Sequence, residues 1–345
     1  MKKFISIVCA VSIAFSMTAC AAKNDVAIRT EAATTASSAK TDKLTLSNPD
    51  ATKEAVKLFD YINSIYGKNI LSGQQESTWM GSDQYEFDYI EKNTGKLPAI
   101  RGLDYMNDDF DGVNKRAKAW HDKGGIVTIC WHCGSDFSGS WNESMKTEIK
   151  DWDKALTKGT PEYEKLIKGM DKGAEALKKL KDQNIPVLWR PFHEFDGAWF
   201  WWGKGGSENF KKLWQMMYDR YTNYWKLDNL IWVLGYSGNG KDYDKWYPGD
   251  EYVDIAGADS YNDGANEKLY EKTVKVVGEK RPVAFHECGK IPTVDELQKS
   301  NAKWVWFMTW HTDYITDHNE KETLKEIYNS DYVITLDELS LMRNS

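Results

Sequence analysis

Short apolar runs ending in polar or small residues recur along the chain, at 70–75, 98–104, 125–132, 186–194, 229–236, 253–261, 282–287 and 304–310. Continuous apolar runs of this length read as strands buried on both faces. Between them lie amphipathic, Lys- and Glu-rich stretches of helical period, at 51–66, 113–123, 163–184, 207–224, 268–277 and 294–300. Strands alternating with helices predict a parallel sheet. Eight such units predict a closed α/β structure, the (β/α)8 TIM barrel, whose functional groups gather at the C-terminal strand ends. An open doubly wound sheet is the alternative, but no Gly-rich phosphate loop follows the first run. The longest connection joins the third and fourth runs and reads as a rim loop carrying Trp141.

The pattern changes at the amino end. Lys2 and Lys3 precede an apolar run over 4–15 that is too short to span a bilayer comfortably. Small residues then lead to Cys20, an arrangement that resembles a bacterial lipoprotein cleavage site. That resemblance implies cleavage after residue 19, a lipid on Cys20 and a place outside the cytoplasm on the cell membrane. An ordinary signal peptide with an incidental cysteine is the alternative. Residues 20–43 are rich in Ala, Thr, Ser and Lys without a hydrophobic period, and predict a flexible tether. Residues 44–345 are then one catalytic-size domain.

The net charge is −7, and loss of Lys2 and Lys3 with the leader makes the mature chain two units more negative. No basic patch is present, which argues against nucleic acid as a partner; a neutral polysaccharide suits this balance. Cys130 and Cys133 form a C-x-x-C motif, yet within or just past a strand-like run and without a second pair. A redox or zinc role is therefore disfavoured, and no metal, cofactor or second subunit is expected. Sequence alone pairs none of Cys130, Cys133 and Cys288.

If the barrel forms, chemistry belongs at the run ends: Gln74 and Gln75, Asp104, His132, His193 with Glu194, Ser237, Asp259 with Tyr261, Glu287, and Trp310 with His311. These offer no Ser-His-Asp arrangement. The densest stretch is 186–203, where an apolar start runs into Arg190, His193, Glu194 and Asp196, then Trp199, Phe200, Trp201 and Trp202. Polar groups beside exposed aromatics suit a sugar, whose C–H faces stack on indoles while its hydroxyls need partners. A core strand with an aromatic surface loop is the plainer alternative, but four successive aromatics do not all face one core. Glycosidic hydrolysis needs two carboxyl groups flanking the bond. Glu194 and Glu287 are the best pair, ending the fourth and seventh runs nearly across the barrel, and each follows a histidine. Retention of configuration predicts a separation of about 5–5.5 Å. Asp104, Asp196 and Asp259 are weaker candidates: Asp196 reads as a turn cap, and Asp259 as a holder of backbone or of Tyr261.

The 190–194 and 199–203 motifs resemble the acid/base motif of glycoside hydrolase family 26, whose best-known members are β-mannanases. Trp131-His132, residues 247–254, 259–261, His286-Glu287 and Trp310 resemble that family's motifs in the same order, so the resemblance covers the whole barrel. It implies a retaining double displacement with Glu194 as acid/base and Glu287 as nucleophile. It further implies that Arg190 and Tyr261 hold Glu287, that His132 and His193 bind hydroxyls, and that Trp310 and Trp199 stack on sugar. Cys288 departs from the pattern, since an apolar or small residue is expected after the nucleophile. The implied activity is endo-cleavage of β-1,4-mannosidic bonds in mannan, galactomannan or glucomannan. A same-fold xylanase or mixed-linkage glucanase, and a non-catalytic glycan-binding lipoprotein, are the alternatives.

Overall fold

The computed structural model describes residues 43–339. The expected leader (1–19), Cys20 and nearly all of the expected tether (20–43) lie outside the described residues. Eight parallel strands close on themselves: β1 (Ile70–Gln75), β2 (Ile100–Asp104), β3 (Ile126–Cys130), β4 (Val187–Arg190), β5 (Leu230–Tyr236), β6 (Ile255–Ser260), β7 (Val283–Cys288) and β8 (Trp306–Thr309). Each pairs in parallel with the next, and β8 returns to β1, so the predicted (β/α)8 barrel is the observed one. A two-residue ninth strand, β9 (Val333–Ile334), adds to β1 at Ile70 and Leu71.

Two apolar layers hold the barrel. Inside, Leu71, Ile100, Leu188, Ile231, Ile255 and Trp306 meet at the strand starts. The helix Lys53–Ile65 packs Leu58, Phe59 and Ile62 against them and seals that end. Outside, each covering helix buries one face. The longest, Pro161–Lys181, is begun by Thr160, whose hydroxyl accepts from the Tyr163 N–H at 3.2 Å, with Pro161 in its first turn. Lys178, Lys179 and Lys181 complement its carbonyl end.

Three expectations change. The fourth strand ends at Arg190 rather than Glu194, because Pro191 has no N–H to continue the ladder and Phe192 and Glu194 adopt φ of 50° and 53°. The rim segment with Trp141 is a short helix, Trp141–Lys146, closed by a Ser140/Glu143 capping box. Finally, Phe200, Trp201 and Trp202 are buried rather than exposed. The indole N–H of Trp201 donates to the Cys133 carbonyl and that of Trp202 to the His193 carbonyl, each at 2.8 Å. Two wide apolar rings with satisfied donors thus brace the β3 and β4 loops from beneath. Cys130, Cys133 and Cys288 are all free and buried.

Candidate active site

Glu194 and Glu287 reach the barrel mouth by two local departures from regular strand. After β4 the left-handed residues turn the chain back on itself, and the Glu194 N–H is anchored on the Gly235 carbonyl at 2.7 Å. A left-handed backbone disfavours an ordinary side chain by about 1–2 kcal/mol, so the surrounding packing imposes this turn. On β7 the register slips: Ala258 faces Phe285, whereas Asp259 faces Glu287. The extra residue is His286, and such a bulge re-aims the side chains that follow it. Space for the imidazole is left by Gly235 and Gly257, where a Cβ would stand 2.4 Å from ring atoms of His286.

Glu287 is 3% exposed. Arg190 Nη1 donates to its Oε1 at 2.6 Å and the Tyr261 hydroxyl donates to its Oε2 at 3.1 Å. The Tyr261 ring is 43% exposed at the mouth, but desolvation of its hydroxyl and the neighbouring carboxylates push the phenol up, so it stays a donor. The Trp199 indole donates to Glu194 Oε2 at 3.1 Å. One oxygen each of Glu194, Asp259 and Glu287 lie within 4.8 Å of one another, a closeness compatible with the short carboxyl spacing of a retaining pair.

Crowded carboxyls in a buried site cannot all ionise. Burial, then the nearby Glu287 carboxylate, raise Glu194 to about 7, opposed by its neighbours, the Trp199 indole among them. Burial and the same two glutamates also push Asp259 well up, opposed by Arg190. Asp259 also meets His286 Nδ1 on its other side. Sequence reading underweighted Asp259, because its partners come from β4 and β7.

A histidine relay forms the opposite wall. Asp104 accepts from the His132 backbone N–H at 2.9 Å and meets His132 Nδ1 at 2.5 Å. Burial would raise Asp104, but His132 beside it holds the carboxyl below its ordinary value. With Nδ1 engaged, His132 Nε2 faces His193 Nε2 at 3.1 Å, and His193 Nε2 lies 3.7 Å from Glu287 Oε1. Burial and Arg190 keep His193 and His286 neutral. Among the described residues two donor groupings could suit a cation, and both are already committed. Arg190 and the raised carboxyls neutralise the three acids, while burial keeps the thiol of Cys130 protonated beside Asp104 and His132.

A cavity of about 550 Å³ opens over this set, bordered by His132, His193, Glu194, Tyr261, Glu287 and Trp310. Arg190 supports the floor, its guanidinium 5.9 Å from the Trp310 ring. His132, His193, Glu194, Tyr261, Glu287 and Trp310 thus border one mouth, with Trp199 bonded to Glu194 beside it. Asp196 lies outside it, accepting from the Ser237 N–H at 2.7 Å, as befits a turn residue. Trp141, expected on the rim from the sequence, is 50% exposed there, and so is Trp79, which the sequence reading missed.

Known proteins resemble this chain in sequence and fold. A mannan endo-1,4-β-mannosidase of Thermothelomyces thermophilus is 37% identical over 321 residues, covering 87% of this chain and 64% of its own length. Mannan endo-1,4-β-mannosidase B of Piromyces sp is 37% identical over 312 residues, covering 86% of this chain and 53% of its own. The chain thus spans between half and two thirds of the length of these relatives. The crystal structure of a ruminal family 26 endo-β-1,4-mannanase superposes with a TM-score of 0.80 at 37% identity, over 86% of this chain and 71% of that one. The family model for glycosyl hydrolase family 26 matches residues 47–338, nearly all of the described barrel, and the chain belongs to that family.

Proposed function

We propose that this chain is a retaining endo-β-1,4-mannanase acting on mannan, galactomannan or glucomannan. The observation that carries the chemistry is the pair Glu194 and Glu287, close together but in opposed environments. Glu287, oriented by Arg190 and Tyr261, attacks the anomeric carbon. Glu194 gives its proton to the departing oxygen, and a glycosyl ester forms on Glu287. Esterification removes the Glu287 charge and with it one cause of the raised Glu194 pKa, so Glu194 becomes a better home for an ionised base. It then takes a proton from water, which opens the ester. His132 and His193 offer ring nitrogens to hydroxyls beside the cut bond, with Trp310 and Trp199 as stacking surfaces. The names of the relatives support mannan as the polymer.

Reducing-sugar release from a panel of mannans, xylans and mixed-linkage glucans tests the assignment, with mannans expected to be cut fastest. On the best substrate the basic limb of the kcat/KM profile should fall near pH 7, where Glu194 loses its proton. Glu287→Gln should move the Glu194 pKa downward in a direct titration, burial still holding it above 4.5. An unmoved value refutes the coupling, faster xylan or glucan hydrolysis reassigns the polymer, and binding without hydrolysis favours the glycan-binding alternative.

The leader supports a further proposal: the enzyme is held on the outer face of the cell membrane by a lipid on Cys20, residues 20–43 acting as tether. Cys20→Ser should abolish labelling by a radioactive fatty acid, and a separate chain begun near Lys43 should hydrolyse the polymer undiminished. Undiminished labelling of the Cys20→Ser chain refutes the anchor.

A further inference from the structure

Asp104, the last residue of β2, takes no part in the double displacement, yet three nitrogens hold its carboxylate in one orientation. Its Oδ1 accepts from the Met106 N–H at 3.0 Å and the His132 N–H at 2.9 Å. That leaves Oδ2 aimed at His132 Nδ1, 2.5 Å away. The two side chains are 7% and 4% exposed, so water barely competes for this contact. Burial would raise the carboxyl, but His132 and the two backbone N–H groups hold it below its ordinary value, so it accepts and does not donate. His132 Nδ1 therefore carries a proton.

The far side of the ring follows from its neighbour. His132 Nε2 and His193 Nε2 are 3.1 Å apart, a gap with room for a single proton. Burial, then Arg190, keep His193 neutral, so it has one N–H to place. On Nε2 that proton points at two acceptors, His132 Nε2 and, 3.7 Å away, Glu287 Oε1. On Nδ1 it would meet none, since that atom is buried and has no hydrogen-bond partner among the described residues. A donor buried without an acceptor is costly. The proton therefore sits on His193 Nε2, and His132 Nε2 is bare to receive it. Edge-on packing of His132 against His193 and Phe200, centroids 4.5 and 5.3 Å apart, holds the rings in this arrangement.

The hydrogen bonds thus run one way, from His193 through His132 to Asp104, and β2 sets their sense. We propose that Asp104 is a positioning residue that selects the Nδ1–H form of His132 and so keeps Nε2 an acceptor, at the mouth, for the proton of a sugar hydroxyl. A hydroxyl that donates to His132 Nε2 displaces the His193 N–H, which then has Glu287 Oε1 as its remaining acceptor. The substrate role rests on the hydrolase reading above, whereas the tautomer does not.

Asp104→Asn puts this to the test with almost no change of shape. The amide oxygen can keep both backbone N–H groups, which leaves the NH2 facing His132 Nδ1. That nitrogen must then accept, so the ring proton moves to Nε2 and meets the His193 N–H head on. Long-range proton–nitrogen spectra of the full chain, labelled at its histidine nitrogens, read the tautomer directly, and His132→Ala identifies the signals. The parent should show His132 protonated at Nδ1 and bare at Nε2, and Asp104→Asn the reverse. On an activated aryl β-mannoside, Asp104→Asn should lower kcat/KM about tenfold to a hundredfold, the effect of one buried donor left opposed. In a His132→Ala background the same substitution should cost less than about twofold, because Asp104 acts through that ring. A parent protonated at His132 Nε2, a tautomer unmoved by Asp104→Asn, or an equal loss in both backgrounds overturns the proposal. The first of these needs no variant, so a misfolded Asp104→Asn chain does not shield it. A parent inactive on every β-glycan overturns the hydrolase reading and the substrate role together, and an intact tautomer signal tells that failure from the others.

Discussion

Glu287→Ala is expected to abolish turnover on every substrate, whereas Glu194→Ala is expected to spare substrates whose leaving group needs no proton. The asymmetry follows from what each carboxyl touches. Glu287 is held by Arg190 and Tyr261 on its two oxygens, an arrangement that aims the nucleophile and leaves no substitute once it is removed. A loss of at least about 10⁴-fold is expected, because the covalent route closes altogether. Glu194 is half protonated near pH 7 by virtue of burial and the Glu287 charge. Its removal should cost about 10²–10⁴-fold on a polysaccharide, the range for general acid–base assistance. On an aryl glycoside with a good leaving group the first step survives, so Glu194→Ala should show a burst followed by slow steady turnover, as the ester waits for a base. A small anionic nucleophile such as azide needs no deprotonation and should restore that second step. Stopped-flow release of the aryl alcohol reads both phases. Equal losses for the two variants on the activated substrate, or azide rescue of neither, would contradict these roles.

Much of this was legible in the sequence for a definite reason. Parallel strands are buried on both faces, so each wrote itself as an apolar run, and β1 came out residue for residue at Ile70–Gln75. The chemistry was legible because barrel strands end in functional groups, which placed Asp104, His132, Glu287 and Trp310 correctly at one mouth. What did not show were features that depend on three-dimensional neighbours. The turn at 191–194 is left-handed because the Gly235 carbonyl and the packing around it hold it there, and only Pro191 hinted that the strand had stopped. The His286 bulge exists because two glycines on other strands vacate the space. Phe200, Trp201 and Trp202 looked like surface aromatics because the carbonyls that accept from the two indoles lie on Cys133 and His193. Trp79 sits in a loop with no periodicity to mark it, and it meets the rim beside His311, more than two hundred residues away.

Arg190→Ala should be the most damaging change outside the two glutamates, through stability as well as rate. The guanidinium and the Glu287 carboxylate are 3% and 4% exposed and 2.6 Å apart. Removing one partner of such a pair leaves the other charge buried and unpaired, at a cost of about 3–5 kcal/mol. Denaturant unfolding at pH 8 should report that loss. In a Glu287→Gln background there is no full charge to abandon, so the same arginine substitution should cost markedly less. Arg190→Lys should fall between, since an ammonium keeps the charge but not the planar fork that reaches Glu287 while lying 3.3 Å from His286 Nδ1. The deficit should also depend on pH. Burial and the Arg190 charge together hold His193 and His286 well below their ordinary value, so both stay neutral. Without the guanidinium, one of the causes that lower them disappears and their pKa values rise. As pH falls, a protonated His193, 3.7 Å from Glu287 Oε1, then supplies part of the missing positive charge. The Arg190→Ala deficit should therefore shrink between pH 8 and pH 5. Strictly additive costs in the double variant, together with a deficit independent of pH, would mean that Arg190 acts by packing rather than by holding the charge of Glu287.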